Sequence, residues 1–526
     1  MAAAVCLFAA SAGPAYAETF RWSHQADAFS LDPYAVNETM TLGFVENIYE
    51  GLVRRGINFQ IEPALATEWS NPRPDLWRFK LRKGVEFHDG SPFTADDVIF
   101  SFQRISSERS DLKADVAGIK EVNKVDDYTI DIVTKGPRPI LMNEISRWYI
   151  MSEEWSTKHD TIAVGSLSAG VETYATRHAN GTGPFMLKTR EPDVKTVLVP
   201  NPNWWDSARH NVTEAIFKPI KSDATRVAAL LSGELDMMYP VPLQDVSRVN
   251  SKPGLKVLQG PELRSVFFGL DVHRNELLYS NVKGKNPLKD VRVRKAMYQA
   301  IDVETIKKKV MRGGAYITAF LIGPGVTGFD EKINVRFPFD LKAARALLAE
   351  AGYPDGFEIS LDCFNDRVVN DEEICQAVTV MLAKVGIKVT FNSMPKAKYI
   401  PKIKSLDTSF YMLSWTPPSV DMYHTYFYNA LTPEWAGKAA GFQPGQGQWN
   451  FGGYSNPEID SLMSRISVEV DQEKRNELIR KVLLLHKEEV GHIPIHQQTL
   501  SWGIKDRIGL VQNPDNSFSL RFVKIK

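Results

Sequence analysis

From Leu76 to Phe87 the chain reads LWRFKLRKGVEF, apolar and charged positions alternating around Trp77, Phe79, Leu81 and Val85 to Phe87. That period predicts a half-buried antiparallel strand or hairpin. Thr94 then offers an N-cap with Asp97 three residues on, and Val98, Phe102 and Ile105 follow at helical spacing. Asp290 precedes a second helix, whose Val291, Val293, Ala296, Met297 and Ile301 form the apolar face and whose Arg292, Arg294 and Lys295 are expected to point outward. Asp340 caps a third, with Leu341, Ala344, Leu347, Leu348 and Ala351 on one face, a stop at Gly352 and Pro354 just beyond. A strand over 357–363, a helix over 371–385, Gly386 and a strand from Ile387 to Asn392 complete a βαβ element. Short strands and helices interspersed in this way predict mixed α/β lobes. Irregular stretches fall at 165–180, 273–287 and 437–453.

Charge and composition narrow the function. With 526 residues, 43% of them hydrophobic, the chain is long enough for several domain-sized units. Lys plus Arg and Asp plus Glu balance at 63 each, so nothing draws it to nucleic acid or to acidic lipid. The opening MAAAVCLFAASAGPAYA is apolar or small and ends in Ala15-Tyr16-Ala17, as an export signal over residues 1–17 would. A spanning helix needs about 20 apolar residues, and Ser11, Gly13 and Pro14 interrupt this run. Export would leave Cys363 and Cys375 where disulfides persist; a bridge between them and two separate buried thiols both fit the pattern.

Catalytic signatures are weak. Gly323-Pro324-Gly325-Val326-Thr327-Gly328 has the spacing of a dinucleotide loop, but the FDEKINVRFPFD that follows has no helical period, so a turn-rich loop is expected. His492 and His496 stand four apart, yet Pro494 between them forbids a zinc-binding helix; His492 is expected in a turn, satisfied by backbone, and His496 on a strand facing core or cleft. No nucleophile elbow, phosphate loop or C-x-x-C occurs. These patterns favour binding over catalysis.

Six blocks carry a family resemblance: Ser30-Leu31-Asp32-Pro33 with ENIYEGL (Glu46–Leu52); FKLRKGVEFHDGSPFTADDVIFSFQRI from Phe79; Gly181-Thr182-Gly183-Pro184-Phe185; Asn201-Pro202-Asn203-Trp204-Trp205; LLSGELDMM from Leu230; and NPLKDVRVRKAMYQAID from Asn286. In this order they resemble the extracellular solute-binding proteins of family 5, the cluster C receptors of peptide-, nickel- and oligosaccharide-type ABC importers. The resemblance implies a two-lobed periplasmic-binding-protein fold of type II, α/β, with an extra small α/β domain inserted in the first lobe. Lobe I would comprise 18–60, 180–268 and 490–526, the insert 61–179 and lobe II 269–489, with SVFFGLD (Ser265–Asp271) and HIPIHQQ as hinges. It implies a periplasmic monomer without cofactor, catalytic residue or bound metal, not embedded in a membrane and not bound to nucleic acid. Such a receptor captures a peptide-like, opine-like or glycoside-like solute by hinge closure and hands it to the transmembrane subunits of a permease. The alternative is an exported hydrolase acting on peptides or glycosides.

The segment SWTPPSVDMYHTY, Ser414–Tyr426, is stiffened by Pro417 and Pro418 and falls where the family carries a cleft loop. Peptide-binding members hold the ligand's ammonium with an aspartate at the position occupied here by Pro418, and an acid of some oligopeptide receptors aligns with Asn37. The resemblance thus suggests that a free peptide N-terminus is not read in the usual way. Asp421 is a helix cap or a ligand contact, and His424 falls one residue later than the histidine of nickel-chelate members. Trp415 and Trp449 would stack on a planar ligand, Trp415 having a core role as its alternative. Tyr34, Phe267, Ser419 and His496 complete the expected cleft set.

Overall fold

The computed structural model describes residues 18–166, 170–437 and 445–526, so the export signal expected over 1–17 lies outside the described residues. The local signals resolve as regular elements. Thr94 and Asp97 form a reciprocal capping box on the helix Ala95–Ile105, Asp340 accepts from the N–H groups of Lys342 and Ala343 at the start of Leu341–Glu350, and Asp290 accepts from Arg292 before Val291–Ala300. The predicted βαβ unit is present as the strand Glu358–Phe364, the helix Asp371–Ala383 and the strand Lys388–Met394, the two strands pairing in parallel.

One eleven-stranded sheet runs through the whole molecule. On one side Lys388–Met394, Glu358–Phe364 and Phe410–Trp415 lead inward; on the other Met237–Tyr239, Thr19–His24, Glu214–Phe217, Lys195–Pro200 and Phe185–Glu191 lead outward. The two halves are joined by Leu255–Leu270 and His492–Lys505, long antiparallel strands that belong to both. Each half has its own large core. Phe267, Met297, Leu361 and Tyr426 sit in one; Phe20, Trp22, Trp148 and Trp502 sit in the other. The protein is therefore two-lobed.

A separate four-stranded antiparallel sheet, built from Ala66–Arg73, Leu76–Leu81, Thr129–Thr134 and Ile119–Asp126, carries the helix Ala95–Ile105. Its Phe79, Val98 and Ile132 share the core of Phe20 and Trp22, so this unit packs onto the first lobe without a hydrophobic boundary between them.

The crossing between lobes is irregular. Residues 255–261 pair with 505–499 on the first-lobe side and 265–269 with 497–492 on the second, and the register slips between Pro261 and Ser265. Glu262, Leu263 and Arg264 stand opposite Gln498 alone, two residues more than the partner strand supplies, a bulge that turns side chains out of the ladder. A second slip, between Val266 and Phe267, falls within SVFFGLD itself, so the irregular crossing begins just before that segment and continues into it.

Several signature blocks interlock through buried charge. Asp32 of SLDP accepts from both terminal nitrogens of Arg104, at 3.3 and 2.7 Å, with both side chains buried. Glu50 of ENIYEGL receives Thr182 Oγ1 at 3.1 Å and the indole N–H groups of Trp204 and Trp205 at 3.3 and 2.7 Å. Arg294, expected on the outer face, is instead buried and donates to the carbonyls of Leu288, Lys289, Glu489 and Val490. The carbonyl end of the helix Gln472–Glu488 lies over it, which no helical wheel reveals.

Cys363 and Cys375 are disulfide-bonded, 12 residues apart, between the strand Glu358–Phe364 and the helix Asp371–Ala383. Replacing both by serine should lower unfolding free energy by about 3 kcal/mol, the closure entropy of a loop this short, as read from urea denaturation. An unchanged midpoint would mean that the bridge does not form in solution.

Candidate functional site

A cavity of about 530 Å³ lies between the lobes, within the size range of small-molecule sites. The second lobe supplies the loop Ser414–Pro418, Val420, Tyr428, Trp449, Phe364, Arg367 and Lys396; the first supplies residues around Asn37–Arg55, 111–149 and 513–522. The bulge contributes Arg264. A second cavity of about 510 Å³ shares Thr39, Arg264 and Arg367 with it and continues along the cleft past Glu38, Glu262 and Gln498.

The rim loop is braced from below. After the strand Phe410–Trp415, Pro417 and Pro418 fix the chain, Val420 adopts a left-handed φ of 58°, and Asp421 starts the helix Met422–Asn429 by accepting from Tyr423 N–H at 2.8 Å. Asp421 is fully buried and also takes both terminal nitrogens of Arg475, at 2.9 and 2.8 Å. The glycine-rich 323–328 segment is a loop packed against this rim. Thr327 N–H donates to Val420 O, Met422 N–H donates back to Thr327 O, and a Cβ on Gly328, at φ 97°, would come within 2.9 Å of Met422 Cγ.

Aromatic rings line the second-lobe wall. Trp415 lies 5.8 Å from Trp449 and 5.4 Å from Tyr428, centroid to centroid, and the Lys404 ammonium stands 5.4 Å from the Trp449 ring. Charged groups lie around them. Arg54 pairs with Glu62 and Asp206, and Arg147 with Asp115. Arg264 contacts Glu262 at 3.2 Å, but neither the Arg367 guanidinium nor the Lys396 ammonium has an acidic partner among the described residues. The Arg264 charge beside it, and then burial, bring Arg367 down to about 10. Burial, with Arg367 and Arg264 nearby, also lowers Lys396. Across the cleft, burial and the neighbouring Asp515 push the Glu46 carboxyl up to about 8.

Asn37, Trp415, Pro418 and Trp449 share the cavity wall. The other expected contacts are set behind it, which corrects their placement. Tyr34 is buried in the first-lobe core, its hydroxyl donating to Tyr149 O, and Phe267 is in the second-lobe core, edge-on to His492. Asp421 is spent on the helix cap and on Arg475. Ser419 and His424 bond each other beneath the rim, Oγ to Nδ1 at 2.7 Å. His496, on the strand His492–Lys505, is buried with both ring nitrogens unpartnered. His492 is also on that strand, not in a turn, and its Nδ1 lies 3.0 Å from His486 Nε2. Among the described residues no group of three His, Cys, Asp or Glu side chains could hold a metal ion, and no helix is long and apolar enough to cross a membrane.

The cavity cations were missed in the sequence. Arg264 sits in a bulge that alternation cannot show, Arg367 comes from a loop with no motif, and Lys396 opens the helix Lys396–Lys404 without a side-chain cap to announce it. Glu50 was legible only as part of a family block, and Arg54 lies just beyond that block.

The model of bacterial extracellular solute-binding proteins, family 5 Middle, matches residues 60–438. Heme-binding protein A of Haemophilus influenzae is 25% identical over 497 residues, covering 89% of this chain and 85% of that protein. The Escherichia coli (strain K12) protein named "Probable deoxycholate-binding periplasmic protein" is 25% identical over 524 residues, covering 94% and 90%. The structure of HbpA2 from Haemophilus parasuis superimposes with a TM-score of 0.81 at 23% identity, covering 97% of this chain and all of that one.

Two outcomes follow from the site. Asp421→Ala leaves Arg475 buried and unpaired and should cost about 3–5 kcal/mol by chemical denaturation; a loss below 1 kcal/mol would show that the pair does not brace the rim. His496 is held neutral, its pKa lowered by burial from 6.5 to about 3. The unfolded chain therefore binds the extra proton, and this residue's contribution is full above pH 6.5 and lost as pH falls below it. The stability of wild type relative to His496→Gln should fall by about 1.4 kcal/mol per pH unit between pH 6 and 4. A pH-independent difference would contradict that.

Proposed function

The chain belongs to the bacterial extracellular solute-binding proteins, family 5, and from that premise we propose that it is the periplasmic, monomeric receptor of an ABC importer for an acidic solute with a flat apolar part. Capture occurs in the interlobe cleft, followed by delivery to the transmembrane permease. The lobes are 18–60 with 180–268 and 490–526, and 269–489; residues 61–179 form the inserted unit of the first.

The observation that carries this reading is the pairing of an aromatic wall, Trp415 and Trp449, with Arg367 and Lys396, cations that form no direct ion pair among the described residues, Glu38 and Asp366 acting on them only from a distance. A ligand carboxylate there would relieve repulsion among like charges, and because Arg367 and Lys396 belong to one lobe and Arg264 to the crossing, it would favour the closed arrangement. Heme and deoxycholate, named for two relatives, each join carboxylate to a broad apolar frame. The ligand is held, not transformed.

A thermal-shift panel of flat carboxylic acids and their neutral esters tests this. Acids should stabilise the protein, by about 2.7 kcal/mol at 100 times Kd, and esters should not. Arg367→Ala with Lys396→Ala should weaken acid binding at least about tenfold, the worth of one lost charge-assisted contact. Equal binding of esters, or recovery of a chemically altered ligand, would defeat the proposal. Acetylating the amino end of any acidic peptide that binds should leave its affinity unchanged in wild type, since Pro418 offers no carboxylate.

A further inference from the structure

The lobes touch a second time, away from the strand pair. After the strand Thr129–Thr134 of the four-stranded sheet, residues 137–144 reach across to the second lobe, where Ile140 is 5% exposed within the core that holds Phe267 and Tyr426. Arg138 holds Glu144 through two hydrogen bonds, at 2.8 and 2.6 Å. Glu144 Oε1 lies 3.3 Å from Nε2 of His424, on the second-lobe helix Met422–Asn429. His424 Nδ1 in turn meets Ser419 Oγ at 2.7 Å. Gly118 leaves room for this arrangement, because a Cβ there would come within 2.7 Å of Arg138 Nε.

Burial raises the Glu144 carboxyl, and the Arg138 guanidinium bound to it opposes that shift. Burial lowers the His424 pKa to about 4, with Arg138 reinforcing the shift and Asp421 opposing it. A neutral ring with its proton on Nε2 donates to Glu144 and accepts the Ser419 hydroxyl at Nδ1, so each member has a partner. The serine, histidine and acid are those of a hydrolase triad, but Ser419 is 1% exposed and is not on the cavity wall. No substrate reaches its oxygen. What the chain does join is two lobes.

We propose that residues 138–144 are a latch, which docks Ile140 and the Arg138–Glu144 pair onto His424 and Ser419 and holds the cleft shut in the absence of ligand. Opening must withdraw Ile140 from an apolar pocket and break a buried hydrogen-bonded chain, neither of which the strand crossing requires. The latch also ties the rim to the first lobe, since His424 follows Asp421 in the same braced turn. It sets how long the cleft stays closed, independently of which solute fills it. The inference rests on the hinged reading above.

The test uses the ligand-free, disulfide-intact protein with nitroxide labels at Glu108→Cys and Val470→Cys, both exposed and on opposite sides of the cleft in the proposed division. Pulsed electron resonance should show a dominant short distance in wild type. Ile140→Ser and Glu144→Ala should each raise the ratio of long to short at least about fivefold, and Glu144→Ala with His424→Ala should add nothing to Glu144→Ala alone. Ser419→Ala, a milder change, should move the ratio in the same direction. Circular dichroism selects the variants that fold, and hydrogen exchange should speed up at 138–144 and 422–429 but not in Leu255–Leu270. If wild type shows both distances and the folded variants leave their ratio unchanged, the latch is wrong while the hinge stands. If wild type and every folded variant give one narrow distance, and both lobes exchange only through global unfolding, the hinged reading fails and the latch with it.

Discussion

The pairing of Leu255–Leu270 with His492–Lys505 is the constraint from which the rest of the architecture follows. These strands continue one sheet through two hydrophobic cores, and at the crossing only the short strand Ala315–Ile317, paired with Gln498–His496, is added to them. The ladder is interrupted where it crosses. A bulge costs pairing but frees side chains, and here it turns Arg264 toward both interlobe cavities. The same irregularity therefore softens the connection and supplies a cation to the cleft.

Local chemistry was readable from the chain, and contacts between distant segments were not. Thr94 with Asp97, Asp340 and Asp290 announced their helices because a cap needs only its own first turn. The βαβ unit was legible for the same reason, its strands and helix being contiguous. Arg294 was misplaced because its acceptors, the carbonyls of Glu489 and Val490, belong to another helix's end. Asp421 was correctly suspected as a cap, yet its stronger partner, Arg475, could not be guessed.

The site shows the same division. Trp415, Pro418, Trp449 and Asn37 stand on the cavity wall, whereas Tyr34, Phe267, Ser419, His424 and His496 occupy the layer behind it. A strand or helix places neighbouring residues on opposite faces, so nearness in sequence to a cleft loop says little about which side chain enters the cleft. The family blocks, read as packing and turns, are tied together by Asp32–Arg104 and by Glu50 with two indoles. Glu50 and Arg54 nevertheless reach the cavity, so scaffold and wall are partly the same residues.

The covalent link between Cys363 and Cys375 encloses the turn that carries Arg367 and begins at Phe364, both on the cavity wall. Cross-linking the base of that turn narrows the range of positions its guanidinium can sample before any solute arrives. Oxidation of the chain is thus part of building the recognition surface, and a molecule matured under reducing conditions would present its cargo with a blurred, more mobile positive charge.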